Sequence, residues 1–372
     1  MPSAVASPTP PSADKVALER FIHQTDASPV DRQLLERFER LTGQRPHRFL
    51  RRGMVFSHRD LDLILDRYER GEPFYLFTGR GPSSESLHLG HSIPLEFTQW
   101  LQRVFRVPLI LMLTDDMKLL HSPSLKFPDV RWFTVENAKD MLAFGFNPDS
   151  TFMFSNLDFV GGPFYENIIA VARHIRVEDV KDALGFTDAN NVGMLYCCST
   201  QSAGAFAHSF PGILGEDREK LRDIACLIPC AYDIDGYFRE VRKHAETLGF
   251  IRPAFLYSGL LPALQGAAEK MSASVANSAI YLRDSLEVIR EKLTAESAVD
   301  PDVVLQYLQL FLDDDDLLAS VTQEYGDGQK NASDLRELLV DVVQQQATRF
   351  QKGRATVTDE VLKGFMQRRL LV

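Results

Sequence analysis

The stretch His88-Leu89-Gly90-His91 sets two imidazoles around a glycine, where the apolar run FYLFTGRGPSS that begins at Phe74 gives way to helical spacing. A helix N-terminus offers unbonded N–H groups and the positive end of its dipole, so it attracts anions. The glycine lets a bulky anion come close to the backbone. The phosphates of ATP are the natural guest, although two histidines at this spacing also serve as polar caps. Far down the chain, Lys270-Met271-Ser272-Ala273-Ser274 places a cation among small residues. A lysine in such a loop can close on phosphates as a mobile charge.

These groups need a scaffold that delivers loops to one edge. The run from Phe74 is a strand, its Gly, Pro and Ser loop leads to a helix beginning near His88, and VPLILMLTDD (107 to 116) followed by RWFTVENAKDMLAFGF (131 to 146) repeats the unit. TFMFS and AFLYS are further strands. Strands alternating with helices predict an α/β fold, a Rossmann-type doubly wound parallel sheet with ligands at the C-terminal strand edges. The organisation expected is a disordered tail over 1–13, rich in Pro, Ser and Ala, then a helical N-terminal appendage over 14–73 carrying VDRQLLERFERL and HRDLDLILDRYERG. A catalytic domain over 74–284 and an all-helical domain over 285–372 complete it.

At 372 residues, 45% hydrophobic and 25% charged, the chain has the size and composition of a soluble protein with one large and one smaller domain. It shows neither a signal peptide nor a run long and apolar enough for a membrane span, so a cytoplasmic location without membrane partners is expected. Four cysteines (Cys197, Cys198, Cys226, Cys230) then belong to a reducing compartment as buried thiols. A net charge of −10 argues against nonspecific nucleic-acid coating. From Ser285 onward ten Lys and Arg stand against sixteen Asp and Glu, a net of −6 and an unpromising field for a phosphate backbone. The acidic run Asp313 to Asp316 reads as a solvated helix terminus.

HLGH and KMSAS, in this order, match the two signatures of class I aminoacyl-tRNA synthetases. LTGQRPHRFLRRG, FSHRD, TGRGPSSESLHLGH, LTDD, GFTD, IPCAYDIDGYFR and LPALQGAAEKMSAS extend the match, and over residues 15 to 372 the chain resembles the eukaryotic tryptophanyl-tRNA synthetase family. The resemblance implies a Rossmann catalytic domain with a helical anticodon-binding domain, a homodimer, and formation of an aminoacyl adenylate from ATP with magnesium. It assigns the ATP site to Arg80, Gly81, His88, Gly90, His91, Asp233, Lys270, Met271, Ser272 and Ser274, with His88, His91 and Lys270 stabilising the transition state.

The amino-acid pocket departs from that family. Phe77 stands where the family has Tyr, Met112 where it has Gln, Met117 where it has Glu, and Ile234 where it has Gln; Gln201 is retained. The family's N-terminal VxPWxV segment has no counterpart, and the chain is shorter between Leu293 and Asp302. These departures set up the expectation of a diverged paralogue in specialised metabolism. It would adenylate a carboxylic or amino acid other than ordinary tryptophan and pass it to a non-tRNA acceptor, with tRNA a doubtful partner. The alternatives are a tryptophan–tRNA ligase that recognises its substrate differently, and an idle interaction protein.

Overall fold

The computed structural model describes residues 15–371 except 265, 272–278, 295–298 and 300. The expected tail over 1–13, Ser272 and Ser274, and most of the shortened stretch before Asp302 therefore lie outside the described residues.

Nine strands are described: β1 (Ser28–Pro29), β2 (Val55–Arg59), β3 (Phe74–Arg80), β4 (Leu109–Leu113), β5 (Thr151–Ser155), β6 (Ala225–Ala231), β7 (Ala254–Ser258), β8 (Pro262–Ala263) and β9 (Gly266–Lys270). The first seven form a sheet in the order β1-β2-β7-β6-β3-β4-β5, while β8 and β9 pair as an antiparallel hairpin. β3 is parallel to both β4 and β6, and β4 to β5. The chain thus winds outward from β3 through β4 to β5, then returns to lay β6 on the other side of β3. Such a reversal opens a crevice at the carboxyl ends of the strands, and the TGRG turn leaves β3 at that edge.

The described residues fall into two compact units, one holding residues up to 57, 86–97 and 257–356, the other holding 58–85, 98–256 and 357 onward. Two sequence expectations are corrected by the elements. The stretch read as a helical appendage also supplies β1 and β2. All five residues of β2 are buried, and a run so short and enclosed carries no helical periodicity to read. At the other end, the chain from 357 onward does not stay with the preceding helices. In its own unit Lys139 pairs with Asp359 at 2.7 Å, the Arg368 guanidinium lies 4.6 Å from the centre of the Phe159 ring, and Leu371 N donates to Ile213 O at 2.9 Å.

The acidic run Asp313 to Asp316 is only partly a solvated terminus. Asp314 does cap the helix Asp315–Gly326, accepting from Asp316 N and Leu317 N at 2.9 and 3.0 Å. Asp315, however, receives Arg45, Arg51 and Arg52, and Asp313 receives Arg48 at 3.1 Å and Arg349 at 3.6 Å. The stretch RPHRFLRR (45–52) therefore neutralises much of the charge that a linear count assigns to the C-terminal region.

Arg48 is the centre of this cluster and is only 8% exposed. Its Nε donates to Leu310 O at 2.7 Å and its Nη2 meets Glu96 Oε1 at 2.6 Å. Burial alone would raise the Glu96 carboxyl, but the His47 hydrogen bond and the charges of Arg48 and His47 outweigh it and hold the group below the usual glutamate range. A folded-state value below the unfolded one means stability that is present above the ordinary glutamate pKa and lost as pH falls through the folded value. The same holds for Asp315, where the bonds from Arg52 and Arg51 outweigh burial. The urea midpoint is expected to fall as pH drops from about 5 to about 3, and to fall less steeply in Glu96→Gln. Parallel slopes for the two chains would show that Glu96 carries none of the dependence.

Candidate active site

In the first unit, Leu87 to Leu89 pairs antiparallel with Ile280 to Leu282. Leu89 N donates to Ile280 O at 2.8 Å, Leu282 N to Leu87 O at 2.9 Å, and His88 stands opposite Tyr281. The helix Leu89–Phe105 starts from this pairing, so its first turn is held from outside the helix. His91 Nδ1 accepts the His88 backbone N–H at 3.2 Å, and the two imidazoles stack with centroids 3.5 Å apart. Accepting at Nδ1 leaves the His91 ring proton on Nε2. His91 is thus a cap of its own helix.

Gly90 is closely approached by its neighbours. A Cβ there would lie 3.1 Å from His88 Cε1, 3.2 Å from His88 Nδ1 and 3.5 Å from Leu261 Cβ. Leu261 O in turn accepts from Met271 N at 2.8 Å, so the head of the HLGH helix and the start of KMSAS share one residue as a backing. Met271 is buried, and Tyr307 OH donates to Pro262 O at 2.5 Å, tying the β8–β9 hairpin to the helix Pro301–Phe311. Lys270 ends β9 and pairs with Pro262 through the backbone; its side chain lies outside the description.

The second unit holds Arg80, Gly81, Asp233 and all five pocket residues. Arg80 Nε donates to Asn137 Oδ1 at 3.3 Å, and Asn137 Nδ2 donates to Ser84 O at 2.6 Å and Phe133 O at 2.9 Å. Asn137, on the helix Phe127–Leu142, therefore ties Arg80 to its following loop. Burial lowers the Arg80 guanidinium to about 10, with Asp140 acting in the opposite direction, and it remains a cation at neutral pH. A Cβ on Gly81 would run into Lys118 Cε and stand 3.2 Å from Thr114 Oγ1, so the Lys118 chain lies directly over the TGRG turn. Lys118, Asn137 and Asp140 were missed in the sequence. Lys118 had a legible signal, being a cation in the first helical turns after a strand that ends at the ligand edge. Asp233 is exposed on the turn Tyr232–Ile234 that follows β6.

Two carboxylates hold the floor of this unit. Asp115 is 1% exposed and accepts from Ser155 Oγ, Leu157 N (3.2 Å) and Asp116 N (3.1 Å), locking the ends of β4 and β5 together. Burial pushes the Asp116 carboxyl up, against bonds from Asn156 Nδ2 at 2.8 Å and Met117 N at 2.7 Å.

Strand register puts Phe77 and Met112 on one face of β3 and β4. Phe77 is buried, its ring pressed on Gly204 so closely that a Cβ there would clash with Phe77 Cζ, and it meets Phe238 edge-on at 6.4 Å. Met112 is buried on β4. Gln201 Nε2 donates to Met117 Sδ at 3.6 Å, which joins the helix Val192–Ala203 to the helix Asp115–His121. Ile234 is 36% exposed and is the least enclosed of the five.

Residues 236–363 match the family model for class I tRNA synthetases (W and Y). The cytoplasmic tryptophan–tRNA ligase of Oryctolagus cuniculus is 44% identical over 97% of this chain and 78% of its own length. The corresponding ligase of Schizosaccharomyces pombe is 44% identical over 94% and 91%. Among solved structures, the tryptophanyl-tRNA synthetase of Encephalitozoon cuniculi bound to tryptophan superposes with a TM-score of 0.86 at 35% identity, covering 95% of this chain and all of that one. Similarity of this depth overturns the expectation of a repurposed enzyme of specialised metabolism that joins some other acid to a non-tRNA acceptor. The error has a physical source. Removing hydrogen-bonding side chains from a pocket changes what it discriminates, whereas the phosphate-handling frame and the acceptor are set elsewhere in the chain. The relatives are named as cytoplasmic, in agreement with the expected location. Among the described residues no helix is long and apolar enough to cross a membrane.

Proposed function

Because this chain belongs to the class I aminoacyl-tRNA synthetases of the tryptophan and tyrosine type, and is an ATP-dependent ligase, we propose that it is a tryptophan–tRNA ligase that charges tRNA(Trp). The observation that carries the reading is the shared backing of the two signatures, in which Leu261 stands 3.5 Å from where a Gly90 Cβ would lie and accepts from Met271.

The tryptophan carboxylate attacks the α-phosphorus of ATP in line, and the bond to the leaving pyrophosphate breaks. A ribose hydroxyl at the 3′ end of the tRNA then attacks the resulting mixed anhydride, and AMP leaves. In the first step His91 Nε2–H, His88 and Lys270 offset negative charge on the transferring group, and the N-terminal amides of the helix Leu89–Phe105 add their dipole. Arg80 and Lys118 supply cations beside Gly81, whose missing Cβ gives the Lys118 chain its place over the turn. Asp233, Met271, Ser272 and Ser274 complete the nucleotide site by resemblance. Magnesium would arrive on the triphosphate, since among the described residues no group of three or more His, Cys, Asp or Glu is placed to hold a metal of its own. The residues therefore position the reactants and balance charge, and none needs to react covalently.

Phe77, Met112, Met117, Gln201 and Ile234 form the tryptophan seat. The tRNA side fits better than the charge count suggested, because Arg45, Arg48, Arg51 and Arg52 already occupy Asp313 and Asp315. We extend the reading to a homodimer. Tyr165 and Ile169 on the helix Gly162–Ala172, and Val192 and Tyr196 on the neighbouring helix Val192–Ala203, are 38 to 82% exposed and form an apolar surface suited to a second copy.

ATP–pyrophosphate exchange across tryptophan, the other proteinogenic amino acids and aromatic acids lacking an α-amine tests the first step, and charging of tRNA(Trp) transcript tests the second. Tryptophan-dependent exchange with charging is expected. Exchange without charging would remove the tRNA half of the reading, and exchange with another acid alone would remove the tryptophan half.

A further inference from the structure

Alternation along paired strands puts Tyr75, Phe77 and Gly79 of β3 on the same face as Ile110 and Met112 of β4, since Phe77 pairs with Ile110 and Gly79 with Met112. Gly79 is exposed although it lies in an interior strand between buried neighbours, Phe77 at 2% and Met112 at 1%. Solvent therefore reaches an opening beside Gly79 at the buried side chains of Phe77 and Met112, with Met112 so close that a Cβ on Gly79 would stand 2.6 Å from its carbonyl oxygen, and with Gly204 packed on the Phe77 ring. Polar side chains on the neighbouring elements bond within the protein. Tyr75 OH donates to Gly204 O at 2.9 Å, Ser202 Oγ to Cys198 O at 2.7 Å, and Gln201 Nε2 faces Met117 Sδ at 3.6 Å. Thr78 belongs to the opposite face and donates to Pro229 O at 3.1 Å.

We propose that this seat recognises the bicyclic shape of its aromatic substrate without reading the ring N–H, so that the enzyme uses tryptophan and isosteres lacking that N–H with comparable efficiency. The inference rests on the tryptophan reading of the same site. A seat built to hydrogen-bond a substrate group rejects an analogue lacking it by roughly 10⁴ to 10⁵, because its own polar group is left unpaired. An apolar wall has no such group to strand, and selects on contour alone. Met112 and Met117, unbranched and polarisable, adapt their shape to the ring that occupies the opening. Tryptophan remains a substrate; what the wall gives up is its advantage over a ring of equal size.

The test is ATP–pyrophosphate exchange by the full-length protein with L-tryptophan and with L-3-(3-benzothienyl)alanine, in which sulfur replaces the ring N–H. The two kcat/KM values are expected to agree within about a hundredfold, the range over which apolar pockets discriminate. Met112→Gln places an amide in the wall at nearly constant volume and is expected to shift the ratio toward tryptophan by about tenfold or more. A wild-type preference for tryptophan above about a hundredfold, or a ratio that Met112→Gln does not move, would overturn the inference while leaving the tryptophan reading intact. Exchange with neither acid would overturn the tryptophan reading, and this inference with it.

Discussion

Replacing Gly90 with alanine is expected to lower tryptophan-dependent ATP–pyrophosphate exchange by about ten- to a hundredfold, mainly in kcat. The added Cβ would stand 3.1 and 3.2 Å from two atoms of the His88 ring and 3.5 Å from Leu261. The ring must then give by a few tenths of an ångström, or the head of the helix must shift against Leu261. Either movement displaces groups proposed to act on the transferring phosphoryl, and misplacement of about 1 Å in such a group can cost about a hundredfold. Stability should move the other way, since alanine in a helix is favoured over glycine by about 0.5–1 kcal/mol. Exchange kinetics together with a urea midpoint separate the two effects. An undiminished rate in the Gly90→Ala variant would mean that His88 does not contribute to the chemistry from this position.

Arg48→Ala is expected to remove about 3–5 kcal/mol of unfolding free energy, the cost of breaking a buried ion pair by taking one partner. The single guanidinium meets Glu96 at 2.6 Å, Leu310 O at 2.7 Å and Asp313 at 3.1 Å. Its loss leaves the Glu96 carboxylate enclosed beside His47 with no full cation. Discrimination from a simple packing defect comes from the double variant Arg48→Met, Glu96→Met, which removes both charges and should recover part of the loss. Equal destabilisation of the single and double variants in urea titration would show that volume, not the stranded charge, sets the effect. Glu96 also sits on the helix that begins with HLGH, and Leu310 on the helix whose Tyr307 holds the β8–β9 hairpin. Activity losses in Arg48→Ala are therefore expected alongside the loss of stability.

The two signature stretches, the strand-to-loop-to-helix units at Phe74 and Leu109, and the helical nature of the chain after Ser285 were all readable from residue order. In each case the determining interaction is local: alternation along a strand, helical spacing, or a glycine at a turn. The apolar character of Phe77, Met112, Met117 and Ile234 was equally visible, but the consequence drawn from it went too far. Side-chain identity describes the contacts a pocket offers, while the reaction depends on the frame that holds the phosphates.

Tertiary structure decided the rest, through partners remote in the chain. Only packing places β6 beside β3, covers Phe77 with Gly204, and lays Lys118 over Gly81. The five residues of β2 became a strand because a sheet was there to receive them. The acidic run Asp313 to Asp316 lost most of its repulsive field because arginines more than 250 residues earlier fold onto it, as in the 262-residue separation between Arg48 and Leu310. A charge count or a periodicity sums over neighbours in sequence, and Coulomb and packing energies sum over neighbours in space.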